Sequence, residues 1–218
     1  EYSKIHINHN ELPMILRKVK NSEIDGLNIT IPHKTSIMSF LDIINPRAKA
    51  IGAVNVISCE HGNLYGNNTD WYGLSMAMKR KNIDVVKKDV IVIGGGGVSK
   101  SAIFALKQMG ASHIKIFNRT LEKISSMNDN QISSHPLEDL NHFLKNDSII
   151  INCTSVGMNS ENSLVLSSYL SSTQTIIDTI YIPLKTKLIK EAERLGAKTI
   201  NGLEMFIYQG LASIDLWF

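Results

Sequence analysis

Along the chain, short β-branched runs alternate with stretches whose apolar residues recur every three to four positions. Residues 2–8 alternate, with Ile5 and Ile7 on one face, and predict an opening strand. A helix is expected over 11–19. A strand over 25–31 should end in Pro32-His33-Lys34, with a helix then running towards Asp42. Residues 53–58 and 63–66 read as two short strands joined through His61-Gly62-Asn63, a hairpin signal. Residues 71–81 read as a connecting helix. From Val90 the pattern becomes strand 90–93, helix 97–109, strand 113–117 and a helix near 121–127. Residues 148–152 and 175–178 are buried-strand candidates, and 185–195 a helix. The last helix, 202–218, places Leu203, Phe206, Ile207, Leu211, Ile214, Trp217 and Phe218 near helical spacing.

Strands alternating with helices imply parallel sheets and an α/β fold. A nucleotide-type domain that begins after residue 70 implies a preceding domain that holds a substrate. The expected architecture is an N-terminal α/β substrate domain, 1–71, and a doubly wound Rossmann-type domain, 72–202. A C-terminal helix, 203–218, would return to the first domain, with a cleft between the domains. The chain opens at Glu1 in mid-fold, which reads as a leading strand and helix missing before it.

The strongest local signal is Val90-Ile-Val-Ile-Gly94-Gly-Gly-Gly-Val-Ser-Lys-Ser101, a strand that breaks into glycines and then into a helix. Glycines let the backbone approach phosphate oxygens, and the free N–H groups of a first helical turn bind them. The next strand ends in Asn118-Arg119-Thr120, where a dinucleotide fold reads the adenosine ribose. The carboxylate usual for NAD is missing and a guanidinium follows, which fits a 2′-phosphate. The cofactor inferred is NADP(H). Two other readings stay open on the motif itself. Gly94-x-Gly96-x-x-Ser99 lacks a third glycine and could be a turn that binds nothing. It is also a near-miss of the ATP-binding loop, which requires glycine where Ser99 stands.

Composition narrows the classes. With 43% hydrophobic and 20% charged residues over 218, the chain is an ordinary globular protein. A net charge of +3 without Lys/Arg runs gives no support to a nucleic-acid partner. No apolar stretch approaches the ~20 residues that span a bilayer. Cys59 and Cys153 show no metal spacing and read as reduced thiols of a cytoplasmic protein. The seven histidines form no HxxxH or HExxH pattern, so no metal is expected.

A second constellation lies in the first domain: Asn28-Ile-Thr30-Ile-Pro32-His33-Lys34, Gly52-Ala53-Val54-Asn55 and Asn67-Asn68-Thr69-Asp70. Amides, hydroxyls, one ammonium and one carboxylate at strand ends suit a small polyhydroxylated substrate. Lys34 and Asp70 would form the acid/base pair, the ammonium giving a proton to a developing alkoxide. Lys34 as a solvated surface residue, and Asp70 as a helix N-cap before Trp71, are the plainer alternatives.

Together these segments resemble the shikimate dehydrogenase family. The pattern Asn-x-Thr-x-Pro-x-Lys is met by Asn28, Thr30, Pro32 and Lys34, Gly-Ala-Val-Asn by 52–55, and Asn-Thr-Asp by 68–70. The likeness continues through the glycine loop, Asn118-Arg119-Thr120, Asn152-Cys-Thr-Ser-Val-Gly-Met158 and Asp178-Thr-Ile-Tyr181 with Pro183 and Thr186. It ends with Asn201-Gly202-Leu203-x-Met205 and Gln209-Gly210. The resemblance implies NADPH-dependent reduction of 3-dehydroshikimate to shikimate, a step of aromatic amino-acid biosynthesis, by a monomer or homodimer. It makes Lys34 the proton donor/acceptor with Asp70 beside it, and gives substrate contacts to Asn28, Thr30, Asn55, Asp70, Tyr181 and Gln209. Cofactor positions fall on Gly94, Gly95, Gly96, Gly97, Val98, Asn118, Arg119, Thr120, Lys123, Thr179 and Gly202. The family's N-terminal Ser-x-Ser, which binds the substrate carboxylate, would lie in the leading segment expected before Glu1, Thr179 stands where methionine is frequent, and Pro46 where an acidic residue is. A NAD-tolerant quinate/shikimate enzyme and an impaired NADP-binding regulatory module are the alternatives.

Overall fold

Apolar runs this short are buried only when strands pair, and two sheets do the pairing. The computed structural model describes all 218 residues. They form two compact units, Glu1–Thr69 with Leu211–Phe218, and Asp70–Gly210.

The first unit holds α1 (Leu12–Lys20), β1 (Gly26–Asn28), β2 (Ile43–Ile44), α2 (Pro46–Ile51), β3 (Val56–Glu60) and β4 (Asn63–Asn67). The sheet order is β1-β3-β4-β2, antiparallel except that β2 runs parallel to β4. The β3–β4 hairpin turns at His61 and Gly62, both with positive φ (50° and 79°), the backbone that a two-residue hairpin needs. On α1, Leu12, Ile15, Leu16 and Val19 form one buried stripe at spacings of three and four. That stripe packs against Ile29, Ile37, Val54, Ile57 and Leu64.

Several expectations for this unit are corrected. Residues 2–8 form no strand: Ile5 is exposed, Ile7 only half-buried, and the stretch has no ladder partner. Alternation alone does not make a strand without a sheet edge to receive it. The helix expected after Lys34 is a short 3-10 turn at Ser36–Phe40. The helix α2 was not anticipated, although its signals are present. Asn45 caps it by accepting from the Arg47 N–H at 2.9 Å, Pro46 opens it, and Gly52 closes it in the left-handed region (φ 71°).

The second unit is built from α3 (Asp70–Arg80), β5 (Asp89–Ile93), α4 (Gly97–Gln108), β6 (His113–Asn118), α5 (Glu122–Ser125) and β7 (Ile132–Pro136). It continues with β8 (Ile149–Asn152), β9 (Thr175–Asp178), α6 (Lys187–Arg194), β10 (Lys198–Ile200) and α7 (Gly202–Trp217), whose last turns count with the first unit. All six strands are parallel, in the order β7-β6-β5-β8-β9-β10. The sheet is doubly wound, as expected, and its order reverses between β5 and β8. The apolar run of β5 serves both faces, Val90 and Val92 packing into one core and Ile91 and Ile93 into the other. Strands β7 and β10 escaped the sequence reading because they are edge strands, one carrying Ser133, Ser134 and His135, the other only three residues long. No helix is long and apolar enough to cross a membrane.

Gly26 lies under the indole of Trp217, and a Cβ there would sit 2.1 Å from Nε1, which donates to the Ile57 carbonyl at 3.0 Å. Gly26→Ala should displace the ring and cost about 2 kcal/mol in urea unfolding. An unchanged midpoint would contradict this packing. Burial pushes the Cys153 thiol far above its ordinary range. In the folded protein at about pH 8 it should stay unmodified by iodoacetamide, and react only after unfolding, as peptide mass spectrometry would show.

Candidate active site

In the first unit, three main-chain bonds draw the polar segments together. Ile29 N–H donates to the Asn55 carbonyl (2.7 Å), Asn55 N–H to the Asn67 carbonyl (2.9 Å) and Val54 N–H to the Lys34 carbonyl (2.8 Å). Thr30 and Lys34 sit in the turn after β1, where His33 N–H closes onto the Thr30 carbonyl at 2.9 Å. Thr30 is exposed and Lys34 is buried to 9% exposure, so Lys34 is no solvated surface lysine.

The amides are fixed by one another. Asn55 donates through Nδ2 to Thr69 Oγ1 (3.0 Å) and accepts the Thr69 N–H on Oδ1 (2.7 Å). Asn28 donates to Ser213 Oγ at 3.0 Å and accepts from the Tyr2 hydroxyl at 3.0 Å. Ser213 lies 3.2 Å from Thr69 Oγ1 and thereby joins the two amide pairs in one network. Sequence reasoning missed Ser213. Its signal was a hydroxyl set within an apolar helical stripe.

In the second unit the candidate residues gather at the carboxyl ends of β5, β6, β8 and β9. Gly94 has φ 116°, and a Cβ on it would lie 3.0 Å from Ser99 Oγ and 3.2 Å from the Cys153 carbonyl. A Cβ on Gly95 would lie 2.7 Å from Ile124 and 3.3 Å from Asn118, so glycine is what lets this loop lie against the end of β6. Ser99, in the place of the third glycine, is wholly buried where α4 packs on the sheet, a place that a small side chain can fill. Gly97 and Val98 open α4 behind Gly96, whose position has no side chain to cap the first turn. Asn118 Nδ2 donates to the Thr120 carbonyl at 2.7 Å and shapes the turn that presents Arg119, exposed, with Thr120 half-buried and Lys123 exposed beyond it.

Asp70 is the first residue of α3 and is buried. Thr179 donates through both N–H and Oγ1 to the Asn152 carbonyl, each at 3.0 Å. A Cβ on Gly202 would meet the Thr179 carbonyl at 2.2 Å, so these two positions are in direct contact. Tyr181 stacks on Phe206 with ring centroids 4.4 Å apart, and Gln209 Nε2 donates to the Phe206 carbonyl at 3.0 Å. The structure therefore groups Asn28 with Asn55, Thr30 with Lys34, the glycine loop with Asn118, and Thr179 with Gly202.

Residues 1–57 match the sequence profile of the shikimate dehydrogenase substrate binding domain, and 75–178 that of shikimate / quinate 5-dehydrogenase. The chain is 39% identical to a shikimate dehydrogenase (NADP(+)) of Staphylococcus haemolyticus, over 99% of this chain and 81% of that protein. The structure is similar to shikimate dehydrogenase of Aquifex aeolicus, with a TM-score of 0.87, 34% identity, and 97% and 78% of the two chains covered. It is also similar to shikimate 5-dehydrogenase of Thermus thermophilus in complex with NADP(H) and shikimate, with a TM-score of 0.85, 30% identity, and 97% and 79% covered. Likeness of sequence and of fold run together over nearly the whole chain, and the chain belongs to the shikimate dehydrogenase family.

Proposed function

We propose that this protein catalyses the reversible NADPH-dependent reduction of 3-dehydroshikimate to shikimate in aromatic amino-acid biosynthesis. The observation that carries the reading is Lys34, a buried lysine in a turn hydrogen-bonded to the segment that holds Asn55. The relatives' names support the substrate, and the Thermus complex supports both ligands.

The residues present fit the cofactor. The uncapped first turn of α4 behind Gly94, Gly95 and Gly96 suits a pyrophosphate, and Asn118, Arg119, Thr120 and Lys123 suit an adenosine 2′-phosphate. Thr179 and Gly202 would hold the nicotinamide end. NADP(H) supplies or accepts the hydride when bound there. Lys34 holds the proton that the carbonyl oxygen takes as it becomes a hydroxyl, and returns to its charged form from solvent. Asp70 supplies a carboxylate that orients a substrate hydroxyl. Asn28, Thr30, Asn55, Tyr181 and Gln209 bind the hydroxyl and carboxylate groups of the substrate. Two free thiols, one of them buried, accord with a cytoplasmic setting. The assembly is taken as a monomer or homodimer.

Lys34→Ala should lower kcat by ~10²-fold or more with little change in substrate affinity, measured at 340 nm with shikimate and NADP+. An unchanged kcat would remove Lys34 from the mechanism. A charge-assisted contact is worth about 1.5–3 kcal/mol, so NADP(H) should be preferred over NAD(H) by at least ~10²-fold in kcat/KM. Arg119→Ala should erase most of that preference through the KM for NADP+. Equal use of both cofactors by the unmutated protein would move it to the NAD-tolerant quinate/shikimate enzymes.

A further inference from the structure

Asp178 ends β9 beside Asn152, which ends β8, the two residues being in register. The Asp178 side chain is wholly buried. A charge withdrawn so far from water is costly unless hydrogen bonds compensate it. Three neutral donors reach it: Asn152 Nδ2 on Oδ1 (3.1 Å), Ile180 N–H on Oδ1 (3.1 Å) and Thr186 Oγ1 on Oδ2 (2.6 Å). Burial pushes this carboxyl above its ordinary range, and the three donors act against that shift.

The partners matter more than their number. Ile180 and Thr186 lie at opposite ends of the segment 179–186, so one carboxylate closes that loop at both ends. Thr186 is also the N-cap of α6, accepting the Ile189 N–H. Asn152 is held in turn, its Oδ1 accepting from Thr154 N–H (3.1 Å) and Oγ1 (2.8 Å). The segment carries Thr179 and Tyr181, and its Ile180 carbonyl accepts the Gly202 N–H at 3.0 Å, at the start of α7. Removing the carboxylate alone would leave the donors of Asn152, Ile180 and Thr186 without their acceptor in the interior, each at the cost of its desolvation. The carboxylate sits at the strand ends where the ligands of the fold are bound.

We propose that Asp178 is a positioning residue, whose carboxylate, held by Asn152 and Thr186, fixes the path of the segment 179–186 and thereby the placement of Thr179 and Tyr181. The proposal rests on the dehydrogenase reading for its kinetic consequence and on geometry alone for its structural one.

The test compares Asp178→Ala with Asp178→Asn, which keeps an acceptor for Asn152 and Ile180. Hydrogen exchange read by mass spectrometry should show the peptide over 179–186 of Asp178→Ala exchanging about 10-fold faster or more, with the 89–108 region unchanged. In the same preparation kcat/KM for shikimate should fall by ~10-fold or more, while the Kd for adenosine 2′,5′-bisphosphate, a probe of the Arg119 end alone, moves less than about 3-fold. Asp178→Asn should recover both readouts to within about 3-fold. If Asp178→Ala does not fold, Thr186→Val against Thr186→Ser gives the same contrast with a smaller perturbation. Unchanged exchange over 179–186, uniform acceleration across the second unit, or local acceleration with kcat/KM unaltered in an active enzyme would each overturn the proposal. An unmutated protein without turnover, but with the local exchange difference intact, would instead overturn the dehydrogenase reading and leave the positioning role standing.

Discussion

Where β5 lies parallel to β8, the pairing of Ile93 with Asn152 sets the ends of two strands level. Everything proposed for the second unit depends on that register. It puts the glycine loop directly beside the Asn152 turn, with Cys153 N–H donating to the Ile93 carbonyl at 2.9 Å. The next pairing, Asn152 with Asp178, carries the same level on to β9. Both faces of these strands are covered, so the polar chemistry can gather only at their ends. A one-residue slip would turn Ile91 and Ile93 to the wrong face and separate the loops that must act together.

The first unit solves a different problem. Its sheet is small and mostly antiparallel, and its functional end is made of amides that need partners of their own. Asn55, Thr69 and Ser213 are buried, and each is hydrogen-bonded to another member of the group. A single unpaired member would cost about 1–3 kcal/mol, which is why such groups come as a complete set. The same bonds give the amides one orientation each, and a directional binding surface requires that.

The sequence disclosed the parallel core because its strands are apolar on both faces and bounded by glycine or asparagine, as in Val90–Ile93 and Ile149–Asn152. It disclosed the polar constellations because their residues fall on strand ends and match a known pattern. It misled at Ile5 and Ile7, where alternation was present without a neighbouring strand. It was silent on β7, whose polar edge has no period, and on α2, which is too short for one. Ser213 offered only a hydroxyl within an apolar helical stripe, and its partners, Asn28 and Thr69, are far away in the chain. Asp178 stood in plain view within a recognised stretch. Its burial and its hold on both ends of one loop exist only in three dimensions.

The ring that covers Gly26 has a bearing on how the protein can be observed. The chain has two tryptophans, Trp217 in the first unit and Trp71 in the second. Trp217 lies near Tyr2, with ring centroids 6.5 Å apart, and donates to a main-chain carbonyl of β3. Trp71 meets the edge of Phe104 at 5.5 Å, within the packing of α3 on α4. Each unit thus carries one tryptophan in an asymmetric setting of its own. Replacing either by phenylalanine leaves the tryptophan emission of a single unit, so the order in which the two halves melt can be read without any added label.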